Sequence, residues 1–166
     1  FSYRSTPRSR ESMQIEQRVK AEGNWRVHSG SLSCAAQLTL VFAATDVLRE
    51  PATWAELAKM YPHGRIVACS TAGTIAGVHV HDDAIAATSI ALDEGRIEVA
   101  TVAVSEDTDS AALGALLAKR VPTDGLVHVM ILSDGMDVNG SALVKGLAAH
   151  LPPHVAVTGG LSGDGP

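Results

Sequence analysis

The sequence predicts an α/β protein: one domain, a mixed α/β sandwich that combines parallel βαβ units with an antiparallel hairpin. Two observations carry this prediction. Short continuous runs of Val, Leu, Ile and Ala alternate with segments whose apolar residues recur at helical spacing, as in βαβ units. Aromatic residues make up only 4% of the 166 residues, so the core must consist of aliphatic side chains, which is typical of buried strands.

The first strand and helix of this pattern follow a polar N-terminal stretch. Residues 1–35 are predicted to be a tail, with only a weak helical pattern after Met13. Residues 38–44 (LTLVFAA) form an apolar run of the buried-strand kind. Asp46 is a candidate N-cap for the next helix, which Pro51 either interrupts or restarts.

The rest of the chain continues the alternation. Two β-prone runs around an Asp-Glu-Gly turn predict an antiparallel hairpin between residues 84–92 and 97–105. The remaining elements are buried strands over 65–70, 125–133 and 155–160, a helix over about 109–121, and a helix that turns Leu143, Val144, Leu147 and Leu151 inward. The sequence leaves the order of the strands open.

Composition and charge exclude several classes of partner. A formal net charge of −5 disfavours phosphate backbones, and the scarcity of aromatic residues disfavours base stacking, so nucleic acid is not expected. No apolar run reaches the roughly 18 residues of a membrane span. Because the sequence shows no secretory signal, we expect a cytoplasmic protein in which Cys34 and Cys69 are free thiols.

The first twelve residues are rich in Arg and Ser and contain one acidic residue. Three origins for this stretch stay open. It is a vector or upstream-frame remnant with the native start at Met13, a genuine basic tail, or a transit peptide. The remnant is favoured over the transit peptide, because the stretch lacks the amphipathic apolar content of organellar transit peptides.

Three predicted strands end in small, polar, glycine-rich loops, at residues 69–73 (CSTAG), 133–140 (SDGMDVNG) and 158–165 (TGGLSGDG). If these strands are parallel neighbours, the loops share the edge where ligands bind in open α/β sheets. Glycine allows close backbone approach, and hydroxyl and N–H groups supply donors. The alternative is three ordinary strand-to-helix turns. The predicted pocket residues are Cys69, Ser70, Thr71, Gly73, Ser133, Asp134, Gly135, Asn139, Gly159 and Gly160.

In this pocket Asp134 would suit the ammonium group of an amino acid. The backbone N–H groups of residues 70–73 would suit its carboxylate. Cys69 could act as a nucleophile, but the sequence places no base beside it. Ser70 and Ser133 lack the G-x-S-x-G elbow of hydrolases. We therefore expect no catalytic residue.

Two segments resemble metal sites but lack a necessary ligand. Residues 79–83 (HVHDD) begin like a metallohydrolase ligand run, but the final histidine is absent. The loop 134–140 begins like a calcium loop without its closing acidic ligand. Asn139 or Ser141 is better explained as the cap of the following helix. We expect no metal site.

Four runs in chain order, RIVACSTAG (65–73), the acidic pair at 82–83, LSDGMDVNGSALVKGL (132–147) and LPPHVAVTGGLSGDG (151–165), together resemble the N-terminal FIST domain. The name stands for F-box and intracellular signal transduction proteins, and the resemblance covers about residues 36–166. It implies a bacterial sensor module that binds small ligands such as amino acids, with haem in some members. It also implies a C-terminal FIST half after Pro166, and output partners such as a histidine kinase or a cyclase.

Three functions compete at this stage. The leading one is a sensory domain that binds a small ligand. The second is an α/β enzyme that uses Cys69 or the glycine-rich loops, and the third is a non-catalytic scaffold domain. No acid–base pair is positioned by a motif, and neither G-x-x-x-x-G-K-[ST] nor G-x-G-x-x-G follows a predicted strand. The sensory function is therefore expected, and enzymatic activity is not.

Overall fold

The elements of a computed structural model, which describes residues 13–105 and 108–163, confirm a mixed α/β fold. The nine strands of the described residues are β1 (Met13–Ala21), β2 (Asn24–Gly30), β3 (Leu38–Ala43), β4 (Arg65–Ser70), β5 (Thr74–Ala76), β6 (His79–His81), β7 (Ile85–Leu92), β8 (His128–Ser133) and β9 (Ala156–Leu161). The helices are α1 (Thr45–Arg49), α2 (Pro51–Met60), α3 (Ser110–Arg120) and α4 (Gly140–Ala148).

A five-stranded sheet has the order β2–β1–β7–β3–β4. Strands β3 and β4 run parallel, and the other neighbours are antiparallel. Helix α2 covers one face, because Leu57 packs with the inward side chains Val41 and Ala87 in a core cluster. These three residues are fully buried, which explains why the aliphatic runs of β3 and β7 could be recognised as strands.

Strands β8 and β9 form a separate parallel pair that is covered on one face only. Val129 and Val157 pack against the buried Leu147 of α4, whereas Met130 is 42% exposed on the opposite face. Residues 125–133 and 155–160 were expected to contain buried strands. The strands are present, but the prediction that they are buried is wrong. Helices α3 and α4 reach one side of this pair, and Val127 at its entrance is 72% exposed.

The predicted hairpin between residues 84–92 and 97–105 does not form. Strand β7 is present, but β1 occupies one of its edges and β3 the other. Residues 97–105 therefore have no edge of β7 to pair with, and they form no regular strand. They run beside α3 instead, where Val102 packs against the cluster of Leu113 and Leu143 and the Arg120 guanidinium donates to the Thr101 carbonyl.

Residues 13–30, predicted to belong to a tail with weak helical character, form the β1–β2 hairpin. Strand β1 pairs with β7 from Met13 to Lys20, so it lies inside the sheet. The turn consists of Glu22 and Gly23, both with positive φ (51° and 81°), as a two-residue type I′ turn requires. Residues 1–12 lie outside the described residues.

The hairpin is tied to α2 through one carboxylate. Lys20 Nζ and Trp25 Nε1 both donate to Glu56 Oε2, at 2.6 and 3.2 Å. These hydrogen bonds, that from Lys20 first, hold the pKa of Glu56 below its ordinary value. Because the folded pKa is depressed, the stabilising effect is present above the unfolded pKa of Glu56 and is lost as the pH falls through the folded value.

Details of the helices and of one loop also differ from expectation. Asp46 lies exposed inside the first turn of α1 and is not its N-cap, which is Ala44 without a side-chain bond. Helix α2 starts again at Pro51, in the first-turn position that proline favours. Val144 is 40% exposed on α4 rather than inward. The loop 71–77 contains β5, which pairs with β6 as a short hairpin.

Candidate ligand-binding site

The carboxyl ends of four strands lie side by side and are joined by backbone hydrogen bonds. The bonds run from β3 to β4, from β4 to the end of β9, and from β9 to β8. They are Thr71 N–H to Ala43 O (3.1 Å), Gly163 N–H to Ser70 O (3.2 Å) and Ser162 N–H to Ser133 O (2.7 Å). The three glycine-rich loops singled out in the sequence therefore share one edge, which we call the loop edge.

Internal hydrogen bonds close the first loop. Thr71 Oγ1 donates to Gly73 O (2.9 Å) and accepts from Gly73 N–H (3.5 Å). Cys69 is buried, and its thiol donates to Ser70 O at 3.6 Å. Of the backbone N–H groups in this loop, the one of Ala72 has no acceptor among the described residues. The predicted carboxylate site was to use the backbone N–H groups of residues 70–73. Of these, the Ala72 N–H is the donor that stays available in the described part of the chain.

Asp134 shapes the second loop with its side chain. Its Oδ1 accepts from the backbone N–H groups of Met136 and Asp137, both at 2.7 Å, which is the geometry of an Asx turn. Asp134 is half-buried, and Oδ2 has no hydrogen-bond donor within residues 13–105 and 108–163. One carboxylate oxygen thus holds the loop, and the other is available to a ligand.

Two of the predicted pocket glycines have a packing reason to be glycine. A Cβ on Gly135 would lie 2.1 Å from Ser162 O, so the second and third loops touch through their backbones. A Cβ on Gly159 would lie 1.9 Å from Ile131 O, and its φ is +152°. Gly160 has no atom within 4 Å of the place of a Cβ, so it leaves open space at the edge.

Two apolar side chains that the sequence did not indicate cover part of the loop edge. Val80 of the β5–β6 hairpin lies 3.2 Å from the place of a Cβ on Gly73, and the Leu161 side chain lies 3.4 Å from that of Gly140. Ser162 was also missed, although it bridges β9 and β8. Its position two residues after the glycine pair was the available signal.

Asn139 acts as the N-cap of α4, the alternative that the sequence favoured over a calcium ligand. Its side chain accepts from Ala142 N–H at 3.0 Å, and its own N–H donates to Ser110 Oγ at 3.0 Å. Asn139 is exposed and lies at the end of the loop edge. Its side-chain oxygen is committed to the helix.

We expect Asn139→Ala to lower the free energy of unfolding by about 1 kcal/mol, because an N-terminal N–H of α4 loses its acceptor. Ser141→Ala is the matched control, since the exposed Ser141 does not cap the helix and should leave stability nearly unchanged. Urea denaturation of both variants measures the difference. Equal stability of the two variants would contradict the capping role.

Cysteines and candidate metal ligands are placed as follows. Cys34, which is exposed, and Cys69, which is buried, form no disulfide with each other, as predicted. His79 and His81 have ring centroids 6.2 Å apart on β6. Within the part of the chain that the structure describes, no three His, Cys, Asp or Glu side chains come together as a metal site.

No described helix is both long and apolar enough to cross a membrane.

The histidines do not fit a haem site. All seven lie within the described residues; six are exposed and His81 is half-buried. A haem iron needs an axial ligand inside a pocket that encloses the macrocycle. His63 does line a cleft, but its volume of about 280 Å³ is below the range typical of drug-sized ligands.

Fold and loop edge together define a mixed α/β domain in which three glycine-rich strand-end loops meet at one edge. Comparison with known families then identifies it. The chain belongs to the FIST family, since the family model of the FIST N domain matches residues 37–166. FIST domains are signal transduction domains. No curated protein and no solved structure matches. The β1–β2 hairpin precedes the matched residues.

Proposed function

We propose that this domain is the sensory module of a signal transduction protein and binds a small polar metabolite, an amino acid or a close relative, at the loop edge. The observation that supports it most is the chain of backbone hydrogen bonds between the ends of β3, β4, β9 and β8. It brings three glycine-rich loops into contact at the end of the sheet where α/β proteins bind ligands.

Two open groups at the loop edge suit the two charges of an amino acid. Asp134 Oδ2 would accept from the ammonium group, and Ala72 N–H would donate to the carboxylate. The open space beside Gly160 leaves room for the ligand backbone. The ligand is accordingly a small metabolite rather than haem.

The same edge supports binding rather than catalysis. Three of its polar side chains hold backbone: Asp134 Oδ1 and Asn139 Oδ1 accept main-chain N–H groups, and the Thr71 hydroxyl closes its own loop. A general acid or base has to exchange protons with a substrate, so side chains that fix loops are poorly suited to that role. We propose a domain without enzymatic activity.

Signalling requires that ligand binding reach a partner, and we propose the C-terminal FIST half as the first recipient. A histidine kinase or a cyclase would be the output. The exposed outer face of β8 and β9 also supports a second candidate function, a scaffold that holds another unit. Met130, which is 42% exposed, makes that face partly apolar.

Thermal unfolding in the presence of single amino acids tests the sensory proposal. A ligand that binds only the native state stabilises it by about 2.7 kcal/mol at one hundred times Kd, which is a clear rise in Tm. The N-acetyl derivative and the amide of the same amino acid are matched controls, because each lacks one of the two charges. If no free amino acid raises Tm, or if both derivatives act equally well, the proposal is wrong.

A further inference from the structure

A second cleft lies at the other end of the five-stranded sheet, beside the amino ends of β3 and β4. It is bounded by the last turn of α2, the inner face of β1 and residues 32–36, and its volume is about 280 Å³. The cleft has apolar walls that include Leu32, Met60 and Pro62. Its floor is polar, and it shares no residue with the loop edge.

The floor contains a charged pair under a helix. Glu16 and Arg18 stand two residues apart on β1, so both side chains point to the face that α2 covers. Arg18 Nε donates to Glu16 Oε1 at 2.6 Å, and Glu16 is only 8% exposed. This bond is the main reason why the pKa of Arg18 is raised above its ordinary value. The formal charges of the carboxylate and the guanidinium cancel, so the pair brings no net charge to the floor of the cleft.

The pair leaves hydrogen-bonding groups unused. Among the described residues, neither the two Nη groups of Arg18 nor Glu16 Oε2 has a partner. Beside them lies Tyr61, which is 7% exposed and whose buried hydroxyl has no hydrogen-bond partner in residues 13–105 and 108–163. A buried hydroxyl normally has a partner, because leaving it without one costs stability. Three side chains that line one cleft, those of Glu16, Arg18 and Tyr61, thus have unused hydrogen-bonding groups.

We propose that this cleft is a second binding site, for a small neutral molecule that carries a primary carboxamide on an apolar group. The carbonyl oxygen accepts from Arg18 Nη and the Tyr61 hydroxyl, and the amide NH₂ donates to Glu16 Oε2. A carboxylate would meet the same donors but would be repelled by Glu16. The apolar group packs against the walls, and the small volume limits its size.

Cys34 provides a reporter for this site. Its thiol is free and exposed, and it lines the same cleft, so a bound molecule shields it. Cys69 is buried on β4 and reacts only when the protein opens. The rate of Cys34 alkylation therefore measures occupancy of the cleft, and Cys69 reports in the same sample whether the fold is intact.

The probes are benzamide and benzoate, which have the same shape and differ in charge. We expect benzamide to slow the alkylation of Cys34 in a saturable way and benzoate to do so less. Tyr61→Phe should weaken benzamide binding about threefold to tenfold, the value of one hydrogen bond. The variant should be as stable as the parent or more so, since it removes an unpaired hydroxyl. Trp54→Phe, on α2 but outside the cleft, should leave benzamide binding unchanged.

Each opposite result overturns the proposal. If benzoate protects Cys34 more strongly than benzamide, the cleft prefers an anion, and the carboxamide assignment is wrong. No protection by benzamide would remove the site. If Tyr61→Phe lowers stability and leaves benzamide binding as it was, the hydroxyl serves the fold and not a ligand. Because the two sites share no residue, failure here leaves the amino-acid site at the loop edge untouched, and the reverse also holds.

Discussion

Gly114→Ala is expected to destabilise the domain by at least about 2 kcal/mol, although alanine is the better helix former by about 1 kcal/mol. Helices α3 and α4 touch through their backbones at this residue. A Cβ on Gly114 would lie 2.1 Å from Leu143 O and 2.5 Å from Leu147 N. Gly146 is the counterpart on α4, where a Cβ would lie 2.0 Å from Ala111 O. Backbone atoms cannot rotate away, so the helices would have to separate.

Urea denaturation of Gly114→Ala and Gly160→Ala tests this packing. The second variant is the control, because no atom lies within 4 Å of the place of its Cβ, and it should be tolerated. Separation of α3 from α4 would loosen the cluster around Leu113 and Leu143 that anchors this half of the molecule. If Gly114→Ala is more stable than the parent, the higher helix propensity of alanine dominates, and α3 and α4 are farther apart than the structure shows.

Elements with a continuous apolar run could be predicted from the sequence, and β1 could not. Strands β3, β4 and β7 are such runs, and each lies within one residue of its predicted bounds. Strand β1 alternates, but its helix-covered face carries Glu16, Arg18 and Lys20 rather than apolar residues. Because both faces of β1 carry polar or charged residues, its sequence lacks the unbroken apolar alternation that indicates a strand. The sign of a hairpin was the Glu22–Gly23 turn.

The failed pairing of β7 has a different origin. The Asp-Glu-Gly turn favours a local hairpin, but strand pairing is decided by which edges are free in the folded sheet. Here β1, which lies more than 60 residues earlier in the chain, takes the edge that the local partner would have used. Such a long-range choice leaves no local signal.

Residue types could predict the loop edge but not which of its groups stay open. Glycine-rich strand ends indicated the edge, whereas the backbone bonds from Ser162 N–H to Ser133 O and from Gly163 N–H to Ser70 O depend on the tertiary fold. Asp and Asn commonly hold turns and helix ends, and Asp134 and Asn139 do so here. The tertiary structure was needed to see that, within the described residues, Oδ2 of Asp134 and the Ala72 N–H have no hydrogen-bond partner.

Asp134→Asn and Asp134→Ala together separate the loop-holding role of this residue from its proposed binding role. Asparagine keeps an oxygen in the place of Oδ1, so the bonds from Met136 and Asp137 N–H can persist and stability should change little. Alanine removes the acceptor and should cost about 1 kcal/mol, as the loss of a comparable cap does. Both variants lack the charge that would hold an ammonium group.

We therefore expect both variants to bind an amino-acid ligand about ten- to a hundredfold more weakly than the parent, since a charge-assisted hydrogen bond contributes roughly 1.5–3 kcal/mol. Asp137→Asn is the matched control, because it removes the same charge from an exposed neighbour whose N–H, not its carboxylate, meets Asp134. Calorimetric titration gives the affinities, and urea denaturation gives the stabilities. If Asp134→Asn binds as tightly as the parent, Asp134 only holds the loop, and the ammonium site is not at this carboxylate. If Asp137→Asn weakens binding as much as Asp134→Asn does, the net charge of the loop causes the effect. The proposed contact between the ammonium group and Asp134 Oδ2 is then wrong.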